Sequence, residues 1–159
     1  MINVIDAKTI DDILKKIIKG ETGIRKVILV DRTGLTISHV SKFSYYPVDV
    51  DGIGAIASAV FVASEEQGTN LKIGRLGIVT SEFKDGKIFA ASAGKAILCV
   101  ITDDSVHIGM IRFLLKEAAE KLISILDEFL SVTQVSTGIE PSDASARGIE
   151  DALADLEKT

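Results

Sequence analysis

Residues 52–66 limit what this chain can fold into, because the segment is typical of a helix that is apolar on every side. Its sequence is Gly-Ile-Gly-Ala-Ile-Ala-Ser-Ala-Val-Phe-Val-Ala-Ser-Glu-Glu, which carries no charge before the last turn. Asp49 or Asp51 is suited to cap its N-terminus, and Gln67-Gly68 is expected to end it. A helix of this kind needs covering on more than one side, whereas a single sheet covers only one. The segment therefore predicts a second covering surface.

The residues before this helix indicate a first helix and a hairpin. Apolar residues spaced three and four apart predict a helix over residues 6–20, with Asp6 as a possible cap and Gly20 at its end. Residues 25–40 alternate as two strands do, and Asp31-Arg32-Thr33-Gly34 between them is turn chemistry. The loop over residues 41–50 then leads to the apolar helix.

The residues after it indicate three strands and a last helix. The predicted strands are residues 73–83, 88–91 and 96–101, joined by turns at residues 84–87 and 92–95. Asp103, Asp104 or Ser105 is expected to cap a helix over residues 106–130. The order is α-β-β-α-β-β-β-α, and the hairpin turns make the linked strands antiparallel. We expect an α+β fold, a five-stranded antiparallel sheet with helices on both faces.

The charge divides the chain in two. The whole chain carries a formal charge of −5, of which residues 131–159 hold six acids and two bases, a net −4. We expect a domain over residues 1–130, a polar linker over residues 131–141, and an acidic amphipathic helix over residues 142–157. The N-terminus has neither the basic nor the apolar region of a signal peptide, and no apolar run is long enough to span a bilayer.

Composition excludes several function classes. An acidic chain does not present the clustered lysine and arginine that nucleic acid or an anionic membrane surface requires. The single cysteine excludes a disulfide framework and fits a reducing cytosol, so we expect a cytoplasmic protein. Cys99 lies in an apolar strand, and His39 and His107 have no ligand partner at metal-binding spacing. We expect no metal, no cofactor and no catalytic residues.

Two phosphate-binding motifs are matched only in part. Gly52-Ile53-Gly54-Ala55-Ile56-Ala57 fits the dinucleotide pattern G-x-G-x-x-A, but a segment with one Pro and two Asp precedes it, and position 70 is Asn where an acid is needed. Gly94-Lys95 resembles the end of a phosphate loop, but Phe89 and Ala96 stand where Gly and Ser or Thr are required. Close helix packing is the favoured explanation of the small residues.

The strand over residues 73–83 begins a three-stranded meander and is expected at a sheet edge. An apolar edge that contains Gly74 and Gly77 favours pairing with another chain. Joint use of this edge and the apolar helix predicts a dimer. The expected interface residues are Ala55, Ala59, Val62, Ala63, Ile73 and Arg75.

These segments together resemble the roadblock family, which includes dynein light chains, Ragulator subunits and prokaryotic partners of Ras-like GTPases. Residues 23–35 are similar to the first hairpin of that family, and residues 52–66 to its second helix. Residues 96–100, followed by residues 108–112, are similar to its last strand-to-helix step. The resemblance covers about residues 6–130.

The resemblance implies a homodimer, or a heterodimer with a paralogue, in which third strands join the sheets and second helices pack together. It also implies a non-catalytic platform for a Ras-like small GTPase. We expect Phe43, Tyr45 and Tyr46 to contact that partner, and none of the arginines is identified as an arginine finger. An assembly adaptor without a GTPase and a small-molecule sensor domain remain alternatives.

Overall fold

The fold was determined as a computed structural model, which describes residues 4–42 and 49–136. Its element order and its five-stranded antiparallel sheet confirm the predicted α+β class. The elements are α1 (Val4–Gly20), β1 (Ile24–Asp31), β2 (Thr36–Ser41), α2 (Val50–Leu71), β3 (Ile78–Phe83), β4 (Gly86–Ala93), β5 (Ala96–Asp103) and α3 (Ile108–Ser136).

The strands lie in the order β2-β1-β5-β4-β3, and every neighbouring pair is antiparallel. The three predicted hairpins pair as expected. The central contact joins β1 to β5, with Val27 opposite Val100 and Leu29 opposite Leu98. β3 lies at one edge of the sheet, as predicted, and β2 lies at the other.

Alternating side chains of the central strands divide the apolar interior into two cores. On β1, Val27 and Leu29 point towards α1 and α3, whereas Ile28 and Val30 belong to the core beneath α2. β5 alternates in the same way, because successive residues of a strand face opposite sides of the sheet. Helices therefore cover both faces, and each covers its own set of apolar side chains.

The two helices of the first face also contact each other. Gly20 at the end of α1 lies so close to Leu114 of α3 that an added Cβ would come within 2.8 Å of its Cδ1. The Nζ of Lys16 lies 3.5 Å from Oε1 of Glu117. These contacts join α1 and α3 within the described chain.

The predicted cap of α3 is wrong. The Asp103 carboxylate accepts the backbone N–H of Ser105, so it closes the turn after β5, and the helix begins only at Ile108. The backbone N–H of His107 instead donates to Oε1 of Glu21, at 2.8 Å. The residue that satisfies this donor is 86 positions away, where no local sequence pattern indicates it.

Two predicted boundaries around α2 and β3 are also wrong. α2 does not end at Gly68 but continues to Leu71, and Lys72 closes it in the left-handed conformation. Gly68 is buried within the helix, where its backbone carbonyl accepts the N–H of Ile73. The strand predicted from residue 73 begins at Ile78, because the segment before it turns through Gly74, with φ of 101°.

The last helix is longer than predicted, so the predicted linker does not begin at residue 131. α3 extends to Ser136, so the first residues of the predicted linker are helical. The contacts within the chain separate residues 1–129 from residues 130–159. The predicted helix over residues 142–157 lies outside the described residues, and the division into domain and tail stays a prediction. Of the helices that the structure describes, none has the length and apolarity needed to cross a bilayer.

Candidate interaction surface

α2 is positioned on the sheet by its small residues. Its N-terminus is capped by Asp49, whose Oδ1 accepts the backbone N–H of Gly52 at 3.0 Å. A Cβ on Gly54 would come within 2.7 Å of Cγ1 of Val30, so only glycine permits this approach to β1. The Ser58 hydroxyl donates towards the backbone carbonyls of Asp31 and Arg32. The glycine pattern at the start of α2 thus serves close packing on the sheet.

A charged contact fixes the middle of α2 to two turns of the sheet. The guanidinium of Arg32 donates to both carboxylate oxygens of Glu65, at 2.6 Å and 3.2 Å, and also to the carbonyl of Gly94 at 3.3 Å. Its Cζ lies 5.9 Å from the centre of the Phe61 ring, within the range of a cation–π contact. Because Arg32 follows β1 and Gly94 follows β4, this contact joins α2 to two hairpin turns.

The opposite side of α2 is apolar and uncovered in the described chain. The side chains of Ile56 and Val60 are 67% and 44% exposed, although both are large and apolar. Four of the predicted interface residues lie on α2 and are exposed: Ala55, Ala59, Val62 and Ala63. The predicted second covering surface is therefore not supplied by the described part of this chain, and a patch of this kind is typical of an interaction site.

Beside this helix lies an apolar groove that continues the same surface onto the sheet. It has a volume of about 210 Å³ and is lined by α2, β3 and β4. We call it the α2–β3 groove, and its lining residues are Ile53, Ile56, Ala57, Val60, Val79, Ser81, Phe83, Ile88 and Ala90. Phe83, at the end of β3, is 60% exposed.

The outer edge of β3 continues the surface further. Among the described strands β3 pairs only with β4, from Ile78 opposite Ala91 to Phe83 opposite Gly86. Its outward backbone N–H and C=O groups therefore have no strand partner in the described part of the chain. An unpaired edge next to an apolar helix offers another chain both backbone hydrogen bonds and apolar contact.

The remaining predicted interface residues do not belong to that edge. Ile73 and Arg75 are exposed, as the others are, but they precede β3 instead of lying in it. They are assigned to the interface because the predicted edge strand includes them, and the observed strand does not. Their place in the interface stays a prediction. Phe43, Tyr45 and Tyr46, predicted to contact a partner, lie outside the described residues.

The groups with catalytic potential are dispersed. Cys99 is buried in β5, and burial raises the pKa of its thiol to about 12, so it stays protonated at neutral pH. His39 lies on β2, and His107 precedes α3. Within residues 4–42 and 49–136, no three His, Cys, Asp or Glu side chains are grouped to hold a metal ion.

Sequence reasoning missed the Arg32–Glu65 contact that holds α2. The two residues are separated by 33 positions and lie on different elements. Sequence indicated Arg32 only as part of a turn and Glu65 only as the charged end of a helix. No short motif joins them, so the sheet topology had to be known first.

Comparison with known proteins gives a consistent result. The family model of the Roadblock/LC7 domain matches residues 10–102. The uncharacterized protein MJ1340 of Methanocaldococcus jannaschii is 38% identical over 113 residues, which are 71% of this chain and 96% of that protein.

Solved structures show the same fold. A structure of MglB with tetrameric arrangement superposes with a TM-score of 0.73 and 19% identity, over 80% of this chain and 94% of that chain. The gliding protein MglB from Thermus thermophilus gives a TM-score of 0.72 and 18% identity, over 80% of this chain and 95% of that chain.

Proposed function

This chain belongs to the Roadblock/LC7 domain family, and from that premise we propose that it is a dimeric cytoplasmic platform that binds a Ras-like small GTPase and regulates or localises it. The family is one of non-enzymatic domains. The observation that carries the proposal is the continuous apolar surface formed by the outer side of α2, the α2–β3 groove and the free edge of β3.

A second copy of this chain is the occupant that we propose for this surface. In a two-fold dimer the same patch meets itself, so it must offer complementary features within one protomer. This surface does so, because a bare strand edge can pair with its own copy and the exposed alanines let two helices approach closely. Ile56 and Val60 would then be covered by the partner's α2.

The GTPase is proposed from the family membership together with the arrangement of the arginines. Glu65 engages the Arg32 guanidinium through both carboxylate oxygens, so Arg32 is not free to enter a nucleotide site of another protein. Arg25, Arg75 and Arg112 are exposed, but they lie on separate parts of the chain, and no contact among the described residues marks one of them as a finger. A platform that contacts the switch loops can stabilise one of their arrangements without a catalytic group. We therefore favour scaffolding or switch positioning over an arginine finger.

The dimer is tested first with the Val60→Glu variant. A carboxylate placed within the α2 contact would meet its own copy across the two-fold axis, so we expect the dimer seen by light scattering to become a monomer. The matched control is Met110→Glu, because Met110 is 47% exposed, much as Val60 is, but lies on α3, which covers the opposite face of the sheet. It should leave the dimer intact. A wild-type protein that is monomeric at high concentration contradicts the proposal.

The GTPase proposal is tested with the Ras-like small GTPases of the same genome, starting with any that is encoded beside this chain. Calorimetry should give affinities for the GDP-loaded and GTP-analogue-loaded forms that differ by at least about tenfold, as expected for contact with the switch loops. Equal affinities would remove the switch mechanism and leave a scaffold. No binding in either state would favour the assembly adaptor, and a small molecule bound by the isolated dimer would favour the sensor domain.

A further inference from the structure

A second cavity lies at the end of the sheet where α2 finishes. It has a volume of about 670 Å³ and lies between the C-terminal turn of α2, the segment before β3 and the two hairpin turns that Arg32 joins. Its walls are rich in polar groups and glycine: Arg32, Glu65, Gly68, Thr69, Lys72, Gly74, Arg75, Leu76, Ser92 and Gly94.

The charges around this cavity do not balance. Three cations and one carboxylate line it, which leaves a net charge of +2. The carboxylate is Glu65, and both of its oxygens are already engaged by Arg32. Lys72 and Arg75 have no ion-pair or hydrogen-bond partner for their side chains among residues 4–42 and 49–136. Two cations therefore face the cavity without a counter-charge.

The backbone at Lys72 adopts a conformation that ordinarily favours glycine. Its φ is 56°, and in the described residues it is the only non-glycine position with positive φ. Glycine ordinarily occupies this position at the end of a helix, since a side chain there is strained. A lysine near a helix C-terminus also interacts favourably with the helix dipole, but that effect does not account for Arg75 beyond the helix.

We propose that this cavity binds a phosphate-bearing anion. A phosphate monoester carries a charge of about −1.5 to −2 at neutral pH, which matches the unbalanced charge of the cavity. The guanidinium of Arg75 can donate two parallel hydrogen bonds to phosphate oxygens, and Lys72 supplies a point charge. The hydroxyls of Thr69 and Ser92 add polar groups on the walls. This proposal does not depend on a GTPase, and it assigns Arg75 to the cavity instead of to the dimer interface predicted from the sequence.

The proposal is tested on the full-length protein with three probes at constant ionic strength: inorganic phosphate, phosphoserine and succinate. We expect phosphate to raise the unfolding temperature, and calorimetry to measure its affinity. Phosphoserine binding as tightly as phosphate would identify a phosphate group carried by a larger molecule, whereas binding of phosphate alone would identify the free ion. Succinate with the same affinity as phosphate would overturn the assignment, because a carboxylate would then suffice.

The decisive variant is Lys72→Gly, because it separates a binding role from a structural one. Glycine suits the backbone at this position, so the unfolding temperature without phosphate should stay equal or rise. The affinity for phosphate should fall about tenfold, and Arg75→Gln should reduce it by a similar factor.

The matched control is Lys84→Gln, which removes an exposed cation from the β3–β4 turn, away from the cavity. It should leave the affinity unchanged. An equal loss in this control, or no effect of phosphate beyond that of chloride at the same ionic strength, would overturn the proposal.

Discussion

The two faces of the sheet differ in how completely the described chain covers them. On the face covered by α1 and α3, Leu14, Leu115 and Leu122 are fully buried within the chain. On the α2 face, Phe61 is equally buried, yet Ile56 and Val60 on the other side of the same helix are open. The first face is closed between the sheet and its two helices, although Phe113 and Met110 on the outer side of α3 are exposed. The α2 face is closed only between the helix and the sheet. The comparison teaches that one side of a helix can serve folding while its other side serves association.

The largest expected effect compares two truncations to alanine. One removes a side chain from the closed core beneath α3, and the other removes a side chain from the outer side of α2. Leu115→Ala should lower the free energy of unfolding by about 2–5 kcal/mol, because it leaves a cavity in a closed core. Ile56→Ala should lower it by less than about 0.5 kcal/mol in the monomer, since Ile56 is mostly exposed. Denaturant unfolding at low protein concentration measures both. Similar losses would mean that the outer side of α2 is covered within one copy of the chain.

A medium effect tests the close approach of α2 to the sheet. Gly54→Val should destabilise the protein by about 1–3 kcal/mol, because its side chain would overlap Val30, which is fully buried in the core. Gly109→Val is the matched control, since a Cβ at Gly109 meets no atom within 4 Å. Thermal unfolding compares the two. An equal loss in the control would show that helix propensity, not the contact with β1, decides the result.

The smallest effect concerns Asp31, in the β1–β2 turn that contacts α2 through Ser58. Burial raises the pKa of the Asp31 carboxyl, but hydrogen bonds from Thr33, Leu35 and Gly34 outweigh this and hold it below its ordinary value. The lowered pKa means that the ionised form stabilises the folded state. This contribution is complete above the ordinary pKa of about 4 and is lost as the pH falls through the lower folded value.

Asp31→Asn should therefore cost about 1 kcal/mol at pH 7 and progressively less below pH 4. Unfolding measured from pH 2 to pH 7 follows the difference between variant and wild type. A difference that stays constant over this range would contradict a role for the charge.

Much of the fold could be predicted because its signals are local. The period of the apolar residues identified α1, and the Asp85-Gly86 pair identified the β3–β4 turn. The exposed side of α2 was predicted for the same reason, since a helix without charge needs more cover than one sheet provides.

The boundaries that failed have physical causes of their own. The polar residues after Glu66 carry no apolar period, so nothing marks where α2 ends, and Gly68 is a packing residue and not a stop. The apolar Ile73 suggested a strand, but the positive φ of Gly74 turns the backbone there. The proposed phosphate-binding cavity could not be predicted, because residues 65–76 meet the turns at Arg32 and Gly94 only in the folded chain.

The outer side of α2 has one more consequence. The exposed alanines of α2 offer few contacts that distinguish one partner from another. The unpaired edge of β3 pairs through backbone hydrogen bonds, which do not depend on the side chains of either strand. Such a surface can bind any chain with a similar helix and strand edge, and it discriminates poorly between related chains. In the proposed dimer, the choice between homologous copies would then rest on the bulky side chains of Ile56, Val60 and Phe83, so that exchanging these residues would change which copies pair.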